Sequence, residues 1–187
     1  MADPIWSCQP IFRGWFDVLC LKLRLRTGEE IERPIVDHPS GAAVLAYDAE
    51  RRVALLITEA RPPVLYVGEE PMLEAIAGAL DGDGPESCAR REALEEGGLK
   101  LGALDHVGHV WATPATSTER VDYFLAEYRP GDRVAEGGGL DEEEEHVRVK
   151  EVPLARLWQM AENCTLRDAK TLTLLQALRI RRPDLFA

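Results

Sequence analysis

Residues 77–99 read as a glycine loop, then a helix carrying three acids, then a glycine stop: Ala77-Gly78 and Gly82 come first, Pro85 to Glu96 follow, and Gly97-Gly98-Leu99 close the stretch. Glu92, Glu95 and Glu96 stand at i, i+3 and i+4, so they share one face of a helix. Cys88 and Leu99 fall in the same sector, which puts the acids in the middle of a stripe with apolar ends. A solvated helix keeps its acids off the core-facing stripe. Carboxylates that face inward are costly unless something positive meets them. A hard divalent cation with oxygen ligands, such as magnesium, suits them. The plain alternative is a solvated helix, because Arg-Glu-Ala-Leu-Glu-Glu is also a common surface sequence. The flanks favour the first reading. Pro85 suits a first helical turn with Gly84 as N-cap, and Gly97 and Gly98 suit a left-handed helix end.

The rest of the chain bounds the answer. With 187 residues, 45% of them hydrophobic, it has enough apolar surface for one domain and a small appendage. No apolar run reaches the roughly eighteen residues of a membrane span. The start, Met1-Ala2-Asp3-Pro4, lacks the basic opening of a signal peptide. Cys8, Cys20, Cys88 and Cys164 are scattered without metal spacing, which reads as reduced thiols in a cytoplasmic protein. A net charge of −11 argues against a nucleic-acid or anionic-membrane surface. It is compatible with a small anionic substrate, since bound cations invert the local field.

Trp15 to Arg26 alternates as a half-buried strand, and Thr27-Gly28-Glu29 turns it into a second, Ile31 to Val36. Gly41 to Tyr47 and Val53 to Ile57 read as a hairpin, Arg61-Pro62-Pro63 as a loop, and Met72 to Ile76 as a short strand before the glycine loop. Further strands are expected over Leu99 to Trp111, Val121 to Tyr128 and Val147 to Val152, and helices over Leu154 to Asn163 and Asp168 to Arg181, the last capped by Asp168. The order predicts an α/β protein with a mixed sheet. Residues 1–40 form N-terminal antiparallel strands, a candidate dimerisation arm, and residues 41–187 the main domain.

Arg91-Glu92-Ala93-Leu94-Glu95-Glu96-Gly97-Gly98-Leu99 resembles the second half of the Nudix box, which ends Arg-Glu-aliphatic-x-Glu-Glu-x-Gly-aliphatic. The first half departs. Counting from Gly78, the place of the box's glutamate falls on Gly84, with Asp83 and Glu86 nearby, and the spacing to Arg91 is one residue short. A loop shortened in this way is similar to the branch of GDP-mannose hydrolases and ADP-ribose pyrophosphatases. So are Gly137-Gly138-Gly139 before an acidic loop and Leu166-Arg167-Asp168-Ala169-Lys170-Thr171. The resemblance spans roughly residues 41 to 180 and implies an α/β/α sandwich.

The resemblance also implies roles. Glu92 and Glu96 would hold magnesium, or manganese in its place, together with the backbone carbonyl of Ala77. Glu95 would ligate, act as base, or hold Arg91, which orients the acids. A glutamate of the loop Asp141-Glu142-Glu143-Glu144-Glu145 would be ligand or base; Glu145 aligns best, with Glu143 and Glu144 as alternatives. Arg61 matches a phosphate-binding arginine, Arg33 and Lys170 match substrate-contacting positions, and Glu119 matches a glutamate that reaches the sugar nucleotide. Trp15 either stacks on a base or packs in a core or dimer interface.

The expected activity is magnesium-dependent hydrolysis of a nucleoside diphosphate sugar, by in-line attack of water on one phosphorus, to a nucleoside monophosphate and a sugar 1-phosphate. GDP-mannose leads and ADP-ribose follows. The rival from another class is a Nudix-fold sensor that binds a nucleotide without turnover. The N-terminal strands suggest a homodimer, because an extended half-apolar edge needs covering.

Overall fold

The computed structural model describes residues 5–139 and 147–187. Its chain divides into two compact units, one of residues 1–41 with 109–121 and one of residues 42–108 with 122–187.

The first unit is built on a three-stranded antiparallel sheet, β1 (Ile5–Phe12), β2 (Asp17–Arg24) and β3 (Glu30–Asp37), in that order. Proline explains the order. Pro10 and Pro34 lack the N–H that a central strand must donate on both sides, and both lie in edge strands, while β2 between them has none. The sequence pattern misses β1. Its apolar residues sit at the two ends around a polar middle with a proline, which is no alternation at all. The end of β3 is zipped to the 109–121 segment. The Val36 N–H donates to Thr116 O at 2.7 Å, the Thr118 N–H to Val36 O at 3.0 Å and the His38 N–H to Thr118 Oγ1 at 2.9 Å.

The second unit is α/β and carries the larger sheet, of order β7-β8-β4-β5-β9, with β6 beside β4. The strands are β4 (Gly41–Asp48), β5 (Val53–Thr58), β6 (Ile76–Ala79), β7 (Asp105–Trp111), β8 (Arg120–Glu127) and β9 (Arg148–Pro153). The unit boundaries fall at the start of β4 and inside β7 and β8. All eight residues of β4 are buried, as a central strand covered on both faces requires. Alternate residues Ala42, Val44 and Ala46 pack in one core with Leu55, Ile57 and Ile76 and with Cys88, Ala89 and Ala93 of helix α2 (Pro85–Glu95). Their neighbours Ala43 and Leu45 point to the other face. Helices α3 (Leu154–Glu162) and α4 (Ala169–Arg181) bury further leucines, Leu154 and Leu157 on the first and Leu174, Leu175 and Leu178 on the second.

The feature that positions the site is a splay. Strands β4 and β5 pair from Asp48↔Val53 only as far as Ala46↔Leu55. Beyond that the chain from Glu74 to Ala79 takes over both edges: Glu74 forms an antiparallel bridge with Ile57, and β6 pairs with β4. This change of partner explains why the expected strand Met72 to Ile76 begins at Ile76 instead. Two further expectations are corrected. Leu99 to Leu104 stays irregular, tied by a bridge from Leu99 to Arg133, and the loop after Arg61 holds a short helix, α1 (Pro62–Tyr66). Two prolines in a first turn forfeit nothing there, since those N–H groups have no partner in a helix anyway.

Candidate metal and phosphate site

Helix α2 begins and ends as its sequence predicts. Gly84 is the N-cap with Pro85 at the first position. Gly98 takes φ +67° and ends the helix. Gly97 is needed for closeness instead: a Cβ there would meet Ile76 Cδ1 at 2.7 Å. The last carbonyls of α2 find partners in the triple-glycine segment, whose three residues all have positive φ. The Gly138 N–H donates to Glu96 O at 2.9 Å and the Gly139 N–H to Glu95 O at 3.2 Å. The acidic loop follows directly in sequence. Glu143, Glu144 and Glu145 lie outside the described residues.

Glu92 and Glu96 are buried, with 8% and 2% of their surface exposed, and they face the splayed strands. The Ala77 N–H donates to Glu96 Oε2 at 3.4 Å. The Glu92 carboxylate lies so close over Gly78 that a Cβ there would overlap it, with Cγ itself at 2.7 Å. Glycine at 78 is therefore a steric requirement of the Glu92 rotamer. Arg91 reaches Glu92 Oε1 at 2.8 Å, Glu95 Oε2 at 3.1 Å and the Ala79 carbonyl at 3.1 Å. Burial works against its charge, but Glu92 and Glu95 outweigh burial and hold the guanidinium above its ordinary pKa. Cys88 sits beneath as an inert thiol. Burial, then Glu92, push its pKa up to about 11, far from a nucleophile's range.

A second cluster adjoins the first. Arg61 pairs with Glu59 at 2.7 Å and with Glu74 at 3.3 Å, and Glu96 also acts on its charge. Lys170, in the first turn of α4, reaches Asp168 at 2.8 Å and Glu74 at 3.5 Å. Asp168 caps α4, accepting from the Thr171 N–H at 2.9 Å and the Thr171 hydroxyl at 2.6 Å. Burial pushes the Asp168 carboxyl upward, but Lys170 and Thr171 hold it below the usual carboxylate range. The structure thus brings together Ala77, Arg91, Glu92, Glu95, Glu96, Arg61 and Lys170. Arg33, Trp15 and Glu119 belong to the first unit. There, Arg33 donates to the Glu32 carbonyl at 2.8 Å, and Trp15 and Glu119 share His38, at 4.7 Å between ring centroids and at 3.9 Å respectively.

The sequence reading passed over Glu59 and Glu74, which carry no motif. The one available signal was an acid in an apolar setting, Glu74-Ala75-Ile76-Ala77. Across both clusters the acids Glu59, Glu74, Asp81, Glu92, Glu95, Glu96 and Asp168 face the cations Arg61, Arg91 and Lys170. The side chains in this acid-rich site offer only oxygen donors, which suits a hard cation. Among the described residues no three acidic, histidine or cysteine side chains form a cage of their own. Magnesium does not require one. It is held by one or two carboxylates, with water and substrate phosphate completing its shell. The residues fit the ion.

The family model described as NUDIX domain matches residues 37–175. A GDP-mannose pyrophosphatase of Cronobacter sakazakii (strain ATCC BAA-894) is 37% identical over 163 residues, covering 85% of this chain and 84% of that protein. One from Salmonella arizonae (strain ATCC BAA-731 / CDC346-86 / RSK2980) is 35% identical over 160 residues, 83% of each. A crystal structure described as an ADP compounds hydrolase superposes with a TM-score of 0.76 at 20% identity, covering 98% of this chain and 96% of that one. At that identity it speaks for the fold alone.

Proposed function

Because the chain belongs to the NUDIX family, we propose that it is a magnesium-dependent pyrophosphohydrolase that cleaves GDP-mannose, or a close nucleoside diphosphate sugar, to a nucleoside monophosphate and a sugar 1-phosphate. The observation that carries this reading is the buried pair Glu92 and Glu96, one turn apart on α2 and facing the splayed strands. Glu92, Glu96 and the Ala77 carbonyl would hold the ion, with manganese able to substitute. Magnesium, when bound, supplies charge neutralisation at the pyrophosphate and a positioned water. Arg91 keeps Glu92 and Glu95 in place. Arg61 and Lys170 receive phosphate oxygens. Glu145 serves as ligand or base, and Arg33, Glu119 and Trp15 contact the sugar nucleotide; these assignments rest on the resemblance.

GDP-mannose leads because the relatives at 37% and 35% identity carry that name over most of their length. ADP-ribose is second. The complete set of helix acids weighs against a sensor without turnover. We place the enzyme in the cytoplasm on its four free thiols. No helix among the described residues is long and apolar enough to cross a membrane. We also infer a homodimer through the N-terminal sheet, where Ile5, Trp6, Ile11 and Phe12 are each more than half exposed. Sedimentation as a monomer would sink that inference.

The test of the activity is phosphate release in a phosphatase-coupled assay, offering GDP-mannose, ADP-ribose, UDP-glucose and a dinucleotide, with magnesium or with chelator. Magnesium-dependent turnover of one sugar nucleotide, lost in Glu96→Gln, is expected. A folded, metal-binding protein that turns over none of them would move the assignment to an untested substrate or to the sensor.

A further inference from the structure

We propose that Glu74 is a positioning residue: it sets the Arg61 guanidinium and the Lys170 ammonium side by side as one receptor for the substrate's diphosphate. The inference rests on the reading that the substrate carries a pyrophosphate.

The two cations come from different parts of the fold, Arg61 from the loop after β5 and Lys170 from the first turn of α4. Glu74 is the acid that both of them reach. Arg61 Nε lies 3.3 Å from each Glu74 oxygen, and Lys170 Nζ lies 3.5 Å from Oε2. The layering matters. The Glu74 and Asp168 side chains are 3% and 7% exposed, whereas Arg61 and Lys170 are 34% and 27% exposed. The carboxylates therefore lie beneath and the cations above them, where an anion can reach.

The base of the receptor is rigid. The Glu74 N–H and C=O both exchange hydrogen bonds with Ile57 at 2.9 Å. The next residue, Ala75, donates its N–H to the buried Thr171 hydroxyl at 2.6 Å, and that hydroxyl donates to Asp168, which holds Lys170. One hydroxyl thus ties the backbone beside Glu74 to the helix turn that carries Lys170. Two cations brought together repel, and the Arg61 charge does act against that of Lys170. With an amide at 74, Arg61 would settle toward Glu59 and Glu96, and Lys170 toward Asp168. The pair would part, and the receptor would lose its geometry. A carboxylate also offsets some positive charge, which by itself would weaken anion binding. For a bidentate site the ordering effect outweighs this, because both cations must meet one diphosphate at once.

The test is Glu74→Gln, assayed for kcat and KM on GDP-mannose at saturating magnesium and for GDP binding by calorimetry in chelator. We expect KM and the GDP dissociation constant to rise roughly tenfold, the scale of one charge-assisted hydrogen bond. We expect kcat to stay within about twofold, as for lost uniform binding. In a Lys170→Met background the same substitution should cost distinctly less, since one cation fewer needs placing. An unchanged KM and GDP affinity, or an equal cost in both backgrounds, would overturn the inference. Glu74→Asp keeps the charge and withdraws the reach by a methylene. It should also raise KM, and it replaces the amide variant if that fails to fold; a wild-type KM there counts against the inference. The two readings fail separately. A wild type that binds GDP, with the affinity weakened by Glu74→Gln, yet hydrolyses no sugar nucleotide keeps the receptor and removes the activity. A wild type that hydrolyses GDP-mannose with KM indifferent to residue 74 removes only the receptor.

Discussion

The two ends of the β4–β5 pair carry ion networks of opposite character. At the turn end, Arg51 donates from Nε to Asp48 at 2.6 Å and grips Glu151 with both terminal nitrogens, at 2.7 and 2.8 Å. The Tyr128 hydroxyl donates to Glu151 at 2.7 Å and accepts from Arg51 at 3.2 Å. Hydrogen bonds from Arg51 and Tyr128 hold Glu151 below the usual carboxylate range, although burial opposes them. Burial, then Glu151, hold the Tyr128 phenol above its ordinary value. This network is closed. At the splayed end, the three cations Arg61, Arg91 and Lys170 face seven acids. Both ends carry more acids than cations, two to one at the turn and seven to three at the splay, so the excess of acids is one at the first and four at the second. A network that only holds strands together keeps that excess small, whereas one that gathers like charges accepts a cost in stability.

The sharpest way to break the comparison is at Glu96. Glu96→Gln removes a buried charge from the acid cluster, and Arg61, on which Glu96 acts, keeps its pairs with Glu59 and Glu74. Turnover should fall by more than roughly a hundredfold, beyond the usual cost of losing an outer-shell partner of a metal. The melting temperature in chelator should hold or rise, because a buried like-charged carboxylate is gone. A clear loss of stability instead would mean that the acid cluster is a structural network like the one at the turn.

Gly78→Ala probes the same end without touching charge. Its new methyl group must displace the Glu92 carboxylate. Ligand misplacement of about an ångström is worth up to roughly a hundredfold in rate. The expected outcome is a fall of about ten- to a hundredfold, with a higher magnesium concentration needed for half-maximal activity. Unchanged magnesium dependence would show that Glu92 is no ligand.

Arg51→Ala addresses the closed end. It leaves Asp48, which is only 3% exposed, without its guanidinium. Losing one partner of a buried pair costs about 3–5 kcal/mol. With 37% of its side chain exposed, Arg51 is partly screened, so about 2 kcal/mol is expected. For a chain of this size that lowers the melting temperature by roughly 4–8 °C. The kcat/KM of the folded protein should not change. A drop in kcat/KM without a drop in stability would erase the distinction between the two ends.

What was legible in the sequence follows the same division. The acid face of α2, its glycine limits and the Asp168 cap depend on spacings within one helix, and local spacing is what a sequence displays. The succession of strands along the chain from β4 to β9 was largely legible for the same reason, but not their order in the sheet, which depends on partners distant in sequence. Glu74 was not, because its partners come from α4 and from the loop after β5, and Glu59 was not, because an acid two residues before an arginine in a loop carries no motif. Neither was the start of β6, which is decided by a switch of partner from β5 to β4. Strand β1 escaped because an edge strand tolerates Pro10 and a broken alternation, the two features that make a sequence look unlike a strand.

The smallest expected effect lies in the acid limb of stability, and it tests whether Asp168 belongs to the binding end or only caps a helix. The folded-state pKa of Asp168 is depressed. Its contribution is therefore fully present above the ordinary carboxylate pKa of about 4 and is lost as pH falls through the lower folded value. Asp168→Asn keeps an oxygen to accept from the Thr171 N–H, so the cap survives, but the charge on Lys170 loses its nearest partner. Stability measured by urea denaturation should then fall less steeply below about pH 4 than in the wild type. The alkaline side runs the same way. Burial opposes the Lys170 charge, yet Asp168 outweighs it and keeps its pKa raised. That stability is present below the ordinary lysine value of about 10.4 and is lost as pH rises through the folded one, so the variant, whose Lys170 pKa is less raised, should have less of it to lose. If the acid slope is unchanged and only the level drops, Asp168 is a helix cap and no more. The charge order beneath the two cations would then depend on Glu74 alone.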